Sequence, residues 1–191
     1  ILAMASVPQF NPNDFGSYGT DNYRNRPIVD TYEPGSTIKS FTAAAVMDTG
    51  LFVPTSMFEL APTIEVGGRT IHESHDRGTV NWSLTEIVTN SSNVGAVVLG
   101  MALGEDDLYG YFSRFGLTEK TGVDYPGEVK GWLPTTDQWS SSSIATIPFG
   151  QGVSVTPLQL SRALAAIANG GSLVTPHFLA ECGGARAAPP L

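Results

Sequence analysis

Apolar residues recur at three- and four-residue spacing from Ser36 to Thr49, where Ile38, Phe41, Thr42, Ala45 and Val46 share one face. This period predicts a helix, with Pro34-Gly35 at its start and Gly50 placed to end it in the left-handed conformation. Ser83-Leu84-Thr85-Glu86 has the form of a capping box and predicts a short helix to about Asn90. The stretch from Asn93 to Leu103 is apolar almost throughout, which predicts a fully buried helix. Glu105-Asp106-Asp107 then place carboxylates in the first turn of an amphipathic helix carrying Leu108, Tyr111, Phe112 and Phe115, closed by Gly116. A last helix starts at Thr156-Pro157-Leu158-Gln159, buries Leu160, Leu164 and Ile167, and ends at Asn169-Gly170-Gly171.

Strand signals are shorter. Thr63-Ile64-Glu65-Val66 and Arg69-Thr70-Ile71 flank Gly67-Gly68 as a hairpin, Ser172 to Leu179 reads as a strand, and Ile1 to Ala5 reads as a strand entered partway. Pro8 to Pro27 reads as an ordered loop, and Thr118 to Gly152 as irregular chain rich in Gly, Pro and Ser. Helices and strands interleave without a regular βαβ period, so the expected class is a mixed α+β fold.

Composition narrows the function classes. A 191-residue chain that is 41% apolar and 15% charged can bury a core. Ten Lys and Arg against 18 Asp and Glu leave a net charge of −8, which gives no footprint for a nucleic-acid backbone. The longest apolar run, Val94 to Leu103, is about half of what a membrane-spanning helix needs. The single Cys182 supports neither an internal disulfide framework nor a zinc site. Residues 1–180 read as one partial domain, and 181–191, biased to Gly, Ala and Pro, as an atypical tail of doubtful reading frame.

Candidate chemistry begins at Ser36-Thr37-Ile38-Lys39. The three-residue spacing puts a hydroxyl and an amine on one helical face, where a lysine of lowered pKa can take the serine proton. Free amides at the helix start favour developing negative charge. Chance supplies about 0.3 such tetrads in a chain of this composition, so the tetrad alone is weak. A second cluster, Ser91-Ser92-Asn93, offers another hydroxyl to shuttle a proton and an amide to orient the lysine or a substrate carbonyl.

Tyr32-Glu33-Pro34-Gly35-Ser36-Thr37-Ile38-Lys39-Ser40-Phe41-Thr42 closely resembles the active-serine segment of class B penicillin-binding proteins, the D,D-transpeptidases of cell-wall synthesis. Thr89-Asn90-Ser91-Ser92-Asn93-Val94-Gly95 resembles the family's second motif. The segments Phe115-Gly116-Leu117 to Tyr125-Pro126-Gly127-Glu128 and Phe149-Gly150-Gln151-Gly152 to Thr156-Pro157-Leu158-Gln159 are similarly characteristic. The resemblance implies the fold shared by these transpeptidases and serine β-lactamases, truncated before the strand bearing the third motif.

It further implies that Ser36 attacks the D-Ala-D-Ala carbonyl of a peptidoglycan stem peptide, Lys39 acts as general base, and Ser91 with Asn93 relays protons and positions substrate. β-Lactam antibiotics would acylate the same serine. No cofactor and no metal is implied. The implied partners are stem peptides and membrane-embedded cell-wall synthesis or divisome proteins. The implied location is the outer face of the cytoplasmic membrane of a bacterium, held by an N-terminal helix outside this chain. A β-lactamase or β-lactam sensor domain, and a non-catalytic scaffold of the cell-wall machinery, are the alternatives.

One departure stands out. The third motif, Lys-Thr/Ser-Gly, is expected beyond the Gln159 helix; its only match, Lys120-Thr121-Gly122, comes too early and reads as coincidental. Without that strand one oxyanion-hole donor is absent, so the chain alone is expected to catalyse poorly. His72 and His75 have the wrong spacing for a helical zinc pair and read as surface histidines near a hairpin. Trp82, Trp132 and Trp139 read as packing residues, with Trp132 or Trp139 able to edge a cleft.

Overall fold

The computed structural model describes residues 1–182 and 185–186, the last four of these by backbone alone. Cys182's side chain and the rest of the proposed tail lie outside the described residues. The elements in order are α1 (Arg26–Val29), α2 (Lys39–Asp48), β1 (Met57–Leu60), β2 (Thr63–Val66), β3 (Arg69–His72), β4 (Val80–Ser83), α3 (Leu84–Thr89), α4 (Asn93–Leu103), α5 (Glu105–Arg114), α6 (Pro157–Ala168), β5 (Glu181–Cys182) and β6 (Ala185–Arg186). Strands pair antiparallel as β1 with β4, β2 with β3 and β5 with β6, an α+β fold as expected.

The chain divides into two compact units, one of residues 1–32, 115–131 and 155–191, the other of residues 33–114 and 132–154. In the second unit α2 packs on α4 and α5. Phe41, Val46, Val97, Leu99, Leu108 and Phe112 are all buried there. α4 is apolar on nearly every side and accordingly enclosed, with Gly100 set so close to the Pro148 ring that a Cβ would lie 2.3 Å from it. α5 carries its acidic first turn and a terminal Arg114, and its Tyr111 donates to Asp48 at the end of α2 (2.7 Å). The hairpin β2–β3 forms in the expected register, with Gly67 and Gly68 both left-handed in the turn. Its Ile71 joins Ala96, Val97, Ala145 and Phe149 in a buried cluster.

In the first unit Ile28, Val123 and Leu158 form a small core. The capping box of α6 forms as expected, and its glutamine does more than cap. Gln159 is fully buried; its Oε1 accepts from the amides of Thr156 (3.0 Å) and Gly131 (2.8 Å), while Nε2 donates to the carbonyls of Leu117 (3.4 Å) and Glu119 (2.6 Å). This anchorage sets the rotation of the helix and corrects its expected face. Ala163 and Ala166, one and two turns beyond Gln159, point inward, and Leu164 and Ile167 are left exposed.

Two expected strands do not form. Ile1–Ala5 and 172–179 join no ladder among the described residues; 172–179 is held by single contacts instead, its His177 carbonyl accepting from the Ile1 amine (2.7 Å), its Val174 carbonyl from Arg162 Nε (2.8 Å), and its Phe178 and Leu179 amides donating to Asp124 (2.7 and 3.0 Å). β1 and β4 were not legible as strands; they pair across about 20 residues of intervening chain.

Candidate active site

The turn that carries Ser36 is built from two left-handed glycines. Gly35 (φ 56°) donates its amide to the carbonyl of Gly150 (3.1 Å), itself at φ 88°. A Cβ on Gly150 would sit 2.1 Å from the Gly35 carbonyl oxygen, so the backbones meet where only glycine fits. Glu33 accepts from the Gly152 amide (2.8 Å), and the buried Thr42 hydroxyl donates to the Pro148 carbonyl (2.9 Å). The Phe149-Gly150-Gln151-Gly152 segment is thereby pinned along both sides of the serine turn.

Gly35–Ile38 is a 3₁₀ turn and the α-helix proper starts only at Lys39, later than the expected start at Ser36. Three residues per turn eclipse side chains at positions i and i+3, which lays Ser36 and Lys39 on one face. The Ser36 side chain is exposed and its hydroxyl has no hydrogen-bond partner among the described residues, whereas Lys39 is 3% exposed.

The Lys39 ammonium meets three acceptors of the second motif. Nζ donates to the Ser91 carbonyl (2.5 Å), the Ser91 hydroxyl (3.0 Å) and Asn93 Oδ1 (2.7 Å). Burial pushes the lysine down from 10.5 to about 8, against an upward pull from the charge of Glu73. Ser91 has φ 52°, the one left-handed non-glycine among the described residues. Strain of this kind persists where the surroundings over-determine it. Ser92 caps α4 by accepting from the Gly95 amide (2.8 Å). Asn93 Nδ2 donates to the His72 carbonyl (2.9 Å), which fixes its amide with the oxygen toward Lys39.

Glu73 joins this cluster from a stretch whose pattern carries no functional signal. Its Oε1 accepts from the Ser92 hydroxyl (2.6 Å) and Arg77 Nη2 (2.5 Å), and its Oε2 from the Asn93 amide (2.7 Å). Burial pushes the carboxyl up, but the hydrogen bonds from Ser92, Arg77 and Asn93 and the Arg77 charge outweigh it and hold Glu73 below the usual carboxylate range. The only sequence signal was an acid between two histidines, and those histidines are exposed. No metal-binding group of side chains occurs among the described residues.

A cavity of about 350 Å³ opens beside Asn93, bordered by Arg69, His72, Thr146, Phe149 and Gln151. In the other unit, Glu128 accepts from the Thr121 amide (2.7 Å), the Thr121 hydroxyl (2.5 Å) and the Gly122 amide (3.1 Å). The Thr121 and Gly122 donors of the Lys120-Thr121-Gly122 match are thus committed to a loop. Trp132 is exposed and borders a second cavity with Pro134 and Gly152.

Comparison with known proteins accords with this arrangement. The model of the penicillin binding protein transpeptidase domain matches residues 1–189, and the chain belongs to that family. It is 38% identical over 180 residues to penicillin-binding protein PbpB of Mycobacterium tuberculosis, covering 94% of this chain and 26% of that protein. It is 37% identical over 172 residues to peptidoglycan D,D-transpeptidase FtsI of Escherichia coli K12, covering 90% and 29%. The crystal structure of penicillin binding protein 3 from Mycobacterium tuberculosis in complex with ampicillin superimposes with TM-score 0.83 at 38% identity, covering 86% of this chain and 36% of that one. Its complex with aztreonam gives 0.87 at 35%, covering 93% and 41%. The chain therefore spans about a quarter to a third of the curated relatives it matches. No helix among the described residues is long and apolar enough to cross a membrane.

Proposed function

We propose that this chain forms the acyl-enzyme of a class B peptidoglycan D,D-transpeptidase, with Ser36 as nucleophile, Lys39 as general base, and Ser91 and Asn93 as proton relay and positioning groups. The observation that carries the reading is the buried Lys39, lowered to about 8 and held by Ser91 and Asn93 one turn beyond an exposed serine. A lysine near neutrality can be a base at physiological pH, where an ordinary one is almost wholly protonated.

The neutral amine takes the Ser36 proton as Oγ attacks the carbonyl of the terminal D-Ala-D-Ala bond, and negative charge develops on that carbonyl oxygen. Collapse breaks the C–N bond; the proton returns through Lys39 and Ser91 to the leaving amine, and D-alanine departs. An amine of a neighbouring stem then attacks the ester, releases Ser36 and completes the crosslink. A β-lactam follows the first half alone and leaves the serine acylated. The full protein acts at the cell envelope with partners of cell-wall synthesis.

Covalent labelling by a fluorescent penicillin tests the reading. The full-length protein should be labelled, and Ser36→Ala should abolish labelling without loss of folding. Labelling that survives Ser36→Ala removes Ser36 as nucleophile.

A further inference from the structure

The turn that supplies all three acceptors to Lys39 is itself held from behind by one carboxylate. Ser91 sits in a strained left-handed conformation and Asn93 opens α4, so neither fixes its own place. Glu73 grips the next two residues, Ser92 through its hydroxyl (2.6 Å) and Asn93 through its amide (2.7 Å). The carboxylate also sits at the N-terminus of an 11-residue helix, where negative charge is favourable.

Glu73 is in turn immobilised. Arg77 pairs with it at 2.5 Å, and the two side chains are only 12% and 8% exposed. Arg77 donates further to the carbonyls of Leu60 and Gly78, both 2.9 Å, and lies over the Trp82 ring at 4.9 Å. A chain of contacts thus runs from the paired strands β1 and β4 through Arg77 and Glu73 to the second motif, and from there to Lys39. His72 adds its carbonyl to Asn93 from the same segment.

We propose that Glu73 is a positioning residue for the acyl-transfer reaction, holding the Ser91-Ser92-Asn93 turn in register with Lys39 and setting the charge that the lysine senses. This rests on the reading of Lys39 as general base. The charged groups involved are Lys39, Glu73 and Arg77; Ser91, Ser92, Asn93 and the His72 carbonyl face them as neutral partners. A helix cap of purely structural value would affect folding alone. A positioning residue affects the pH at which the base becomes competent.

The test is the rate of acylation by a fluorescent penicillin between pH 6 and 10 in the full-length protein, for wild type, Glu73→Gln and Glu73→Asp, with thermal unfolding measured alongside. Glu73→Gln removes the charge that favours protonated Lys39, so the midpoint of the rate profile should move to lower pH by roughly half a unit or more. The plateau should fall about tenfold or more, because a buried hydrogen bond to a charged group is lost. Glu73→Asp keeps the charge and shortens the reach, so its midpoint should stay near wild type while its plateau falls.

A Glu73→Gln protein with the wild-type midpoint or the wild-type plateau overturns the proposal, whatever its melting temperature. If Glu73→Gln does not fold, a wild-type plateau or a displaced midpoint in Glu73→Asp overturns it instead. Ser36→Ala in the same assay separates the two levels: if that variant is still acylated, the acyl-enzyme reading fails and this inference falls with it. If it is silent and the Glu73 variants match wild type, only the role of Glu73 is lost.

Discussion

Lys39 binds Ser91 twice, through the backbone carbonyl at 2.5 Å and through the hydroxyl at 3.0 Å, and Ser91 holds a left-handed φ of 52° while doing so. An L-residue there carries a steric cost that glycine does not. Ser91→Ala and Ser91→Gly remove the same hydroxyl but differ in that cost. The glycine variant is therefore expected to be more stable than the alanine variant by about 1 kcal/mol, with acylation lowered alike in both. Denaturant unfolding compares them; equal stabilities would show that Ser91 is not strained.

The rate of acylation should follow the free amine of Lys39. With the lysine lowered to about 8, roughly one molecule in ten carries the neutral amine at pH 7. The rate should rise nearly tenfold per pH unit below about 8 and level off above about 9. A profile flat from pH 6 to 9 contradicts the base assignment.

Stability carries the same lysine with a definite sign. Its folded value lies below the unfolded 10.5, so the unfolded chain binds more protons between about 8 and 10.5, and the lysine's contribution to stability rises with pH across that window. Below pH 8 both states are charged and the burial cost, about 3 kcal/mol, is fully present. Glu73 has the same sign in an acidic window: its contribution is complete above the ordinary value of 4.5 and is lost as pH falls through its lowered folded value. Unfolding of wild type and Lys39→Met at pH 7 and pH 10 should show that the wild type alone gains from the lysine as pH rises.

Gly150→Ala tests the contact beneath the serine turn. A Cβ at 2.1 Å from the Gly35 oxygen, at φ 88°, forces the two backbones apart. The expected cost is about 2 kcal/mol or more, with acylation reduced because Gly35 precedes Ser36, the proposed nucleophile. Gly68→Ala is the control: it is also left-handed but meets nothing within 4 Å, so it should lower stability less and leave acylation near wild type.

Gln159→Ala addresses the other unit. The change strands the amides of Thr156 and Gly131 and the carbonyls of Leu117 and Glu119 in a buried setting. A loss of about 2–4 kcal/mol is expected by calorimetry, well beyond the roughly 1 kcal/mol of an ordinary cap.

Features set by neighbours in sequence were legible, and those set by neighbours in space were not. The capping boxes at Ser83 and Thr156, the apolar run of α4 and the glycine hairpin at Gly67-Gly68 each carry their reason within a few residues. The Ser36 and Lys39 pair was legible for the same cause. Glu73 was not, since an acid in an exposed-looking His-Glu-Ser-His run reveals nothing of Ser92 and Asn93, some 20 residues on. The rotation of α6 was misread because Leu164 and Ile167 outweigh two alanines in any apolar count, while the buried polar Gln159 decides the face. Ile1–Ala5 and 172–179 have strand composition without a ladder partner among the described residues.

The most direct measurement is to map the covalent adduct. The full-length protein treated with a β-lactam, digested and read by peptide mass spectrometry should carry the added mass on the peptide containing Ser36 and on Ser36 itself. An adduct on Ser91, or a folded protein that acquires none, would contradict the account.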